Sequence, residues 1–98
     1  MPELTGAQRK YLKGMAHHLN PLVQVGKNGL TDGVVKSIDE ALDIHELIKV
    51  RLSGPEEKKE MADAIAERTK SARIGLIGHT VILYRRQPDP EKRTIDLP

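Results

Sequence analysis

Residues 5–19, "TGAQRKYLKGMAHHL", place apolar side chains three and four positions apart, a spacing that predicts an amphipathic helix. Ala7, Tyr11 and Met15 form its expected apolar stripe, with Leu12 and Leu19 beside them, while Arg9, Lys13 and His17 share another face with Lys10 nearby. Thr5 followed by Gln8 is a capping-box pattern, and Asn20-Pro21 closes the helix. A short β-branched stretch at 22–25 predicts a strand. After "GKNG" (26–29), Thr31 is placed to cap a second helix over 32–44, with Val34, Val35, Ile38, Ala41 and Leu42 inward. "HELIKVRL" (45–52) then changes to period two. Ile48, Val50 and Leu52 fall on one face and Lys49 and Arg51 on the other, as in a strand with one buried side.

A third helix follows in "SGPEEKKEMADAIAERTK" (53–70), with proline and acids at its start and bases at its end, as a helix dipole favours. Met61, Ala62, Ile65 and Ala66 are its inward positions. "ARIGLI" and "TVILYR" flank Gly78-His79, which predicts a hairpin with a type II′ turn. The last segment, 87–98, holds three prolines without periodicity and is expected to be extended or loosely tied down. Strands joined through helices become parallel neighbours with right-handed crossovers, and the hairpin adds an antiparallel strand. The expected fold is an α/β two-layer sandwich with a mixed four-stranded sheet in the order α-β-α-β-α-β-β, both crossover helices lying on one side. With 98 residues there is room for one domain, 1–98, with a core over about 4–86.

Composition narrows the chemistry. The chain has no cysteine, so disulfides and thiolate metal sites are ruled out and a reducing compartment is favoured. No apolar run approaches the ~20 residues of a membrane span, and the N-terminus shows no charged-then-apolar leader; a cytoplasmic address without membrane attachment is expected. Tyr11 and Tyr84 are the only aromatics, which excludes modules that stack several bases on a sheet of exposed rings. The net charge of +2 hides an uneven distribution: residues 1–29 hold four bases and one acid, 30–67 five bases and ten acids, and 68–98 seven bases and three acids. Two basic ends around an acidic middle suggest an anionic partner where the ends meet. No catalytic pattern emerges. "HELIK" has Lys49 where a zinc-protease helix needs histidine, adjacent His17 and His18 diverge on a helix, and no serine stands in a nucleophile-elbow setting. A non-enzymatic protein without cofactor or metal is expected.

"GKNG" is the segment with a chemical use. It is neither a P-loop nor a dinucleotide fingerprint, and as a bare pattern it is weak, since "GLIG" (75–78) repeats it. Its setting differs from that of "GLIG". Glycines permit close backbone approach, Lys27 supplies a mobile cation, and a helix begins just beyond, where free amides favour anions. Phosphodiester backbone is the natural ligand of such a loop; a tight strand-to-helix connection is the structural alternative.

"LKGMAHHLNPLVQVGKNGLTDGV" (12–34), "HELIKV" (45–50) and "GHTVILYR" (78–85), in this order and spacing, resemble the CRM domain (chloroplast RNA splicing and ribosome maturation) in its free-standing bacterial, YhbY-like form. The resemblance runs from about Leu4 to Arg86. It implies a fold similar to the C-terminal domain of translation initiation factor 3, with sheet order 1-2-4-3 and the last strand antiparallel to the others. It also implies RNA binding through the GxxG loop (Gly26, Lys27, Asn28 and Gly29, with Thr31 after it) and adjoining basic surface. Large-subunit (50S) precursor particles and their rRNA, 23S foremost, are the implied partners, for a protein acting as a monomer. For the basic surface the residues nominated are Arg9, Lys10, Lys13 and His17 on the first helix, Lys49 and Arg51 on the second strand, and Arg73, Arg85 and Arg86 around the hairpin. The alternative is a protein-interaction adaptor on the assembling ribosome, working through the acidic middle without touching RNA.

Overall fold

A computed structural model of the chain describes residues 3–53 and 58–98. The first helix, α1 (Gly6–Ala16), opens with the full capping box: Thr5 Oγ1 accepts from Gln8 N–H and the Gln8 side chain accepts from Thr5 N–H. The strand β1 (Val23–Val25) follows, then α2 (Asp32–His45), capped by Thr31. Next come β2 (Leu47–Leu52), α3 (Lys58–Thr69) and the hairpin of β3 (Ala72–Ile77) and β4 (Thr80–Tyr84). The start of the third helix as read from the sequence lies outside the described residues. The turn between β3 and β4 has Gly78 at φ +59°, with His79 not left-handed, as a type II′ turn requires. A bulge between Arg73 and Gly75 sets the register of β3.

The sheet order is β1-β2-β4-β3, with β1 parallel to β2 and β4 antiparallel to both of its neighbours. Alternation along the strands gives it two apolar faces. Ile48, Val50 and Leu52 of β2, with Val81 and Leu83 of β4, meet Ile38 and Leu42 of α2 and Ala62 and Ile65 of α3. Both crossover helices therefore share one side, as right-handed crossovers demand. Leu47, Ile74, Ile82 and Tyr84 point the other way and meet Leu12 and Ala16 of α1. The sandwich is thus completed by helical cover on the second face, a layer beyond the two expected.

Two expectations are corrected here. Leu12 and Ala16 are the buried positions of α1, whereas Tyr11, Met15 and Leu19 of the anticipated stripe stay exposed. The helix is rotated because its inner edge is partly polar: Arg9 donates to the Arg73 carbonyl at 2.9 Å, and the Lys13 stem lies over Gly75. A Cβ on Gly75 would come within 2.9 Å of Lys13 Cε, so this glycine makes room for the lysine. The C-terminal segment is also tied down rather than loose. After a short 3-10 turn, Pro90–Lys92, Ile95 enters the α1-side core with Leu97 packed against it, and Gln8 Nε2 reaches the Pro98 carbonyl.

Glu46 fastens this segment. It sits between α2 and β2 at φ +63° and is fully buried. Its carboxylate accepts from the backbone N–H of Gln87 (2.9 Å), Thr94 and Ile95 (3.2 Å) and from the Thr94 hydroxyl. Burial alone would raise the carboxyl pKa; the donated hydrogen bonds outweigh it and hold the group below its ordinary value of 4.5. Since the folded form binds this proton more weakly than the unfolded chain, the stability it contributes is complete above pH 4.5 and is lost as pH falls through the depressed pKa. Glu46→Gln puts an amide donor among donors and should cost about 2–3 kcal/mol in thermal or denaturant melts. As pH falls below 4.5 in the wild type, the amides of Thr94 and Ile95 should lose protection, measured against intrinsic exchange at each pH, more than those of β4. In Glu46→Gln that acid step should be absent.

Candidate nucleic-acid interface

The "GKNG" segment leaves the sheet at the end where Val25 of β1 lies beside Leu52 of β2. It forms a turn in which Gly29 N–H donates to the Gly26 carbonyl at 3.0 Å, with Lys27 and Asn28 exposed at its tip. Gly29 adopts φ +70°, where a side chain would be strained. Gly26 has no such requirement, and no atom of the described residues lies within 4 Å of where its Cβ would be. None of the described residues therefore fills the space beside Gly26. Neither Lys27 nor Asn28 has a side-chain partner among the described residues.

The base of the turn is held on both sides. Ser53 Oγ donates to the Val25 carbonyl at 2.8 Å and accepts from Gln24 Nε2 at 3.1 Å. Beyond the turn, Thr31 N–H donates to the Gly29 carbonyl, and Thr31 Oγ1 caps α2 by accepting from Val34 N–H at 3.2 Å. That hydroxyl serves the helix, so Thr31 is a support of the loop rather than a free group. Arg68 of α3 binds the Leu30 carbonyl and the Asp32 carboxylate, the latter at 3.0 Å, and anchors the exit of the turn. Its role is invisible in sequence, because Asp32 lies thirty-six positions away.

The nominated bases fall into three groups. Lys49 and Arg51 project from the α1 side of β2, by alternation with Leu47, and Arg51 pairs across with Gln24 just before the loop. Arg51 is exposed; Lys49 is half-buried. On α1, Lys10 and His17 are exposed, the Lys13 stem spans Gly75, and Arg9 is engaged with the Arg73 carbonyl. His17 and His18 meet edge to face at 5.4 Å, and no group of three or more His, Asp or Glu side chains among the described residues is arranged to hold a metal. The third group lies at the far end of the sheet. Tyr84 pairs with Leu47 while the loop adjoins Leu52, so Tyr84 stands five residues along the strands, roughly 17 Å, from the loop end, and Arg85 and Arg86 lie beyond it.

Arg85 is corrected from a surface cation to a structural one. Its guanidinium is bound by Asp39 and by Asp43 at 2.9 Å, and by the carbonyls of Thr69 (2.7 Å) and Asp39 (2.9 Å). Arg73 pairs with Asp63 at 2.9 Å. On the outer face of α2 Asp39 and Asp43 are thus paired, while Glu40 stays exposed without an ion pair among the described residues. Two groups at the loop end escaped sequence reading: His79 in the hairpin turn, whose carbonyl accepts from Leu52 N–H, and Lys58, whose ammonium lies 3.3 Å from His79 Nε2. The sheet order that brings them there is set by tertiary pairing alone.

The fold is a small mixed α/β domain with an exposed glycine turn at one end of its sheet. Residues 4–85 match the family described as the CRS1 / YhbY (CRM) domain. The chain is 47% identical over its whole length to an "RNA-binding protein" of Haemophilus influenzae, 98% of which it covers. It is 41% identical, over 97% of its length and 99% of the relative's, to the "Probable RNA-binding protein YqeI" of Bacillus subtilis. A Staphylococcus aureus protein solved in solution, described as a candidate RNA-binding protein, superposes with a TM-score of 0.82 at 37% identity. That likeness covers 98% of this chain and 100% of the other. The chain belongs to the CRS1/YhbY (CRM) domain family.

The two loop glycines should part company on substitution. Gly29→Ala forces a side chain into the left-handed region and should lower stability by about 1–2 kcal/mol. Gly26→Ala should stay within about 0.5 kcal/mol of wild type in the same melts.

Proposed function

We propose that this protein is a non-enzymatic RNA-binding protein that grips the phosphate backbone with the Gly26–Gly29 turn, and that its target is rRNA of large-subunit precursor particles. The observation that carries the reading is the turn itself: an exposed cation and amide at its tip without partners among the described residues, a Gly26 that none of those residues crowds, and a helix N-terminus directly behind it. The names of its relatives support RNA as the ligand. The ribosomal context rests on the family resemblance. Arg51, Lys49 and the exposed bases of α1 extend the contact over the α1 side of the sheet. With no stacking platform, recognition falls on backbone and shape rather than on base sequence.

Replacing Lys27 and Asn28 together with Asp tests this. The double substitution keeps both glycines, removes one positive charge and adds two negative ones. Melting should shift by no more than about 0.5 kcal/mol, and binding to structured rRNA should be lost. Unchanged binding at unchanged stability would reduce the turn to a connector and sink the reading. In the wild type, three to five neutralised phosphates predict a log–log salt slope of roughly −2 to −5. A slope near zero would instead favour a protein partner. Crosslinking in cells, mapped to nucleotides, tests the ribosomal target; crosslinks outside large-subunit rRNA would overturn that part.

A further inference from the structure

A cleft lies at the other end of the sheet from the glycine turn. It occupies about 760 Å³ between the start of α1, the end of β4 and the C-terminal segment. Leu4 and Leu97, which pack against the same core cluster, give it apolar lining, and Lys70, Arg86 and Arg93 line it as well. Three acids also border it. Asp39 and Asp43 share the single Arg85 guanidinium, which answers one of their two charges, and exposed Glu3 is the one unpaired carboxylate there among the described residues. Four bases against three acids leave the lining one charge positive, with Lys70, Arg86 and Arg93 free of carboxylate partners among the described residues. Arg86 is exposed and has no partner among the described residues, while Arg93 is positioned by its Nε–H on the Gln87 carbonyl at 2.8 Å.

Tyr84 gives the cleft its floor. Only 2% of this residue is exposed, and its hydroxyl makes no hydrogen bond among the described residues. No occluded side-chain nitrogen or oxygen there lacks a partner, so this hydroxyl must reach the surface, and Tyr84 lines the cleft. A buried ring with an unused polar tip is a donor waiting for an acceptor. Burial, followed by the Glu46 charge, raises the phenol pKa, so the group stays protonated and able to donate.

An inorganic anion would leave the apolar lining bare, and a purely apolar ligand would leave the arginines and the hydroxyl unanswered. The volume falls within the ~300–1,000 Å³ of small-molecule sites. We propose that this cleft is a second ligand site that takes a nucleoside monophosphate unit, with the base against Leu4 and Leu97 and the phosphate on Arg86 and Arg93, where the Tyr84 hydroxyl donates. The unit is either a free mononucleotide or one nucleotide of an RNA strand. The site is distinct from the glycine turn and does not depend on RNA binding there.

Amide and side-chain NMR shifts of the full chain, titrated with AMP, GMP, CMP and UMP, test the proposal. Saturable shifts at Tyr84, Arg86 and Leu97 are expected, with a Kd of about 1 mM or tighter for at least one of them. Adenosine and inorganic phosphate, given separately, should bind at least about tenfold more weakly. Arg86→Glu should weaken the nucleotide by about tenfold or more, and Tyr84→Phe severalfold, with folding of both variants checked by melting. The Lys27→Asp, Asn28→Asp variant should bind mononucleotide as the wild type does, which separates this site from the loop. Competition by a short single-stranded oligoribonucleotide identifies an RNA nucleotide as the ligand; its absence identifies a free one. Absence of saturable shifts around residues 84–87, phosphate alone binding as well as AMP, or indifference to both substitutions would overturn the proposal.

Discussion

The buried carboxylate of Glu46 is the interaction on which the architecture turns. It stands where α2 ends and β2 begins, in a left-handed conformation that costs a non-glycine residue about 1–2 kcal/mol. Its backbone is bound on both sides: its N–H donates to the Leu42 carbonyl and its carbonyl accepts from Arg85 N–H. Its side chain then gathers three amides of the C-terminal segment. An isolated buried charge would be prohibitive, and four donated hydrogen bonds offset that cost. The helix end, the start of the central strand, the exit of β4 and the tail are thereby fixed relative to one another. Ile95 and Leu97 can then close the α1-side core, which α1 alone, with only Leu12 and Ala16 fully buried, does not fill.

That clamp divides the molecule into two ends with different chemistry. At the end marked by Leu47 and Tyr84, arginines are drawn into the fold: Arg85 holds α2 through Asp39 and Asp43, and Arg93 braces the Gln87 carbonyl. At the end marked by Val25 and Leu52, backbone bonds and Ser53 build the support, and the Lys27 ammonium is left free of any protein partner among the described residues. A rigid base with a mobile cation at its tip is the division of labour expected of a loop that meets a phosphate chain, since the scaffold rather than the side chain carries the ordering cost.

Charge pairing also explains how a chain of net charge +2 can suit a polyanion. Asp32, Asp39, Asp43 and Asp63 each meet an arginine, and Glu46 is sealed in the core. Much of the acidic middle is thus answered internally by Arg68, Arg73 and Arg85. The cations that remain outward, Lys10, Lys27 and Arg51 among them, face fewer opposing charges than the composition suggests. A close ion pair acts as a dipole whose field dies away within a few ångströms, so at a distance the unpaired cations weigh most.

The sequence by itself determined the elements, their order, the caps at Thr5 and Thr31, the hairpin turn, the glycine loop and the family. Those features are local: a cap needs residues three apart, a strand shows its face in every second side chain, and a II′ turn shows its glycine. Only the tertiary structure decided which face of α1 is buried, because Gly75 and the Arg73 carbonyl, sixty positions on, accept Lys13 and Arg9 in place of an apolar contact. It likewise decided that the proline-rich segment is held and that Arg85 is structural. Glu46 and Asp39 look like ordinary surface carboxylates until the strands bring their partners from forty or more residues away. Local patterns encode what a segment becomes; which polar groups are spent and which stay free depends on contacts that exist only once the sheet has formed.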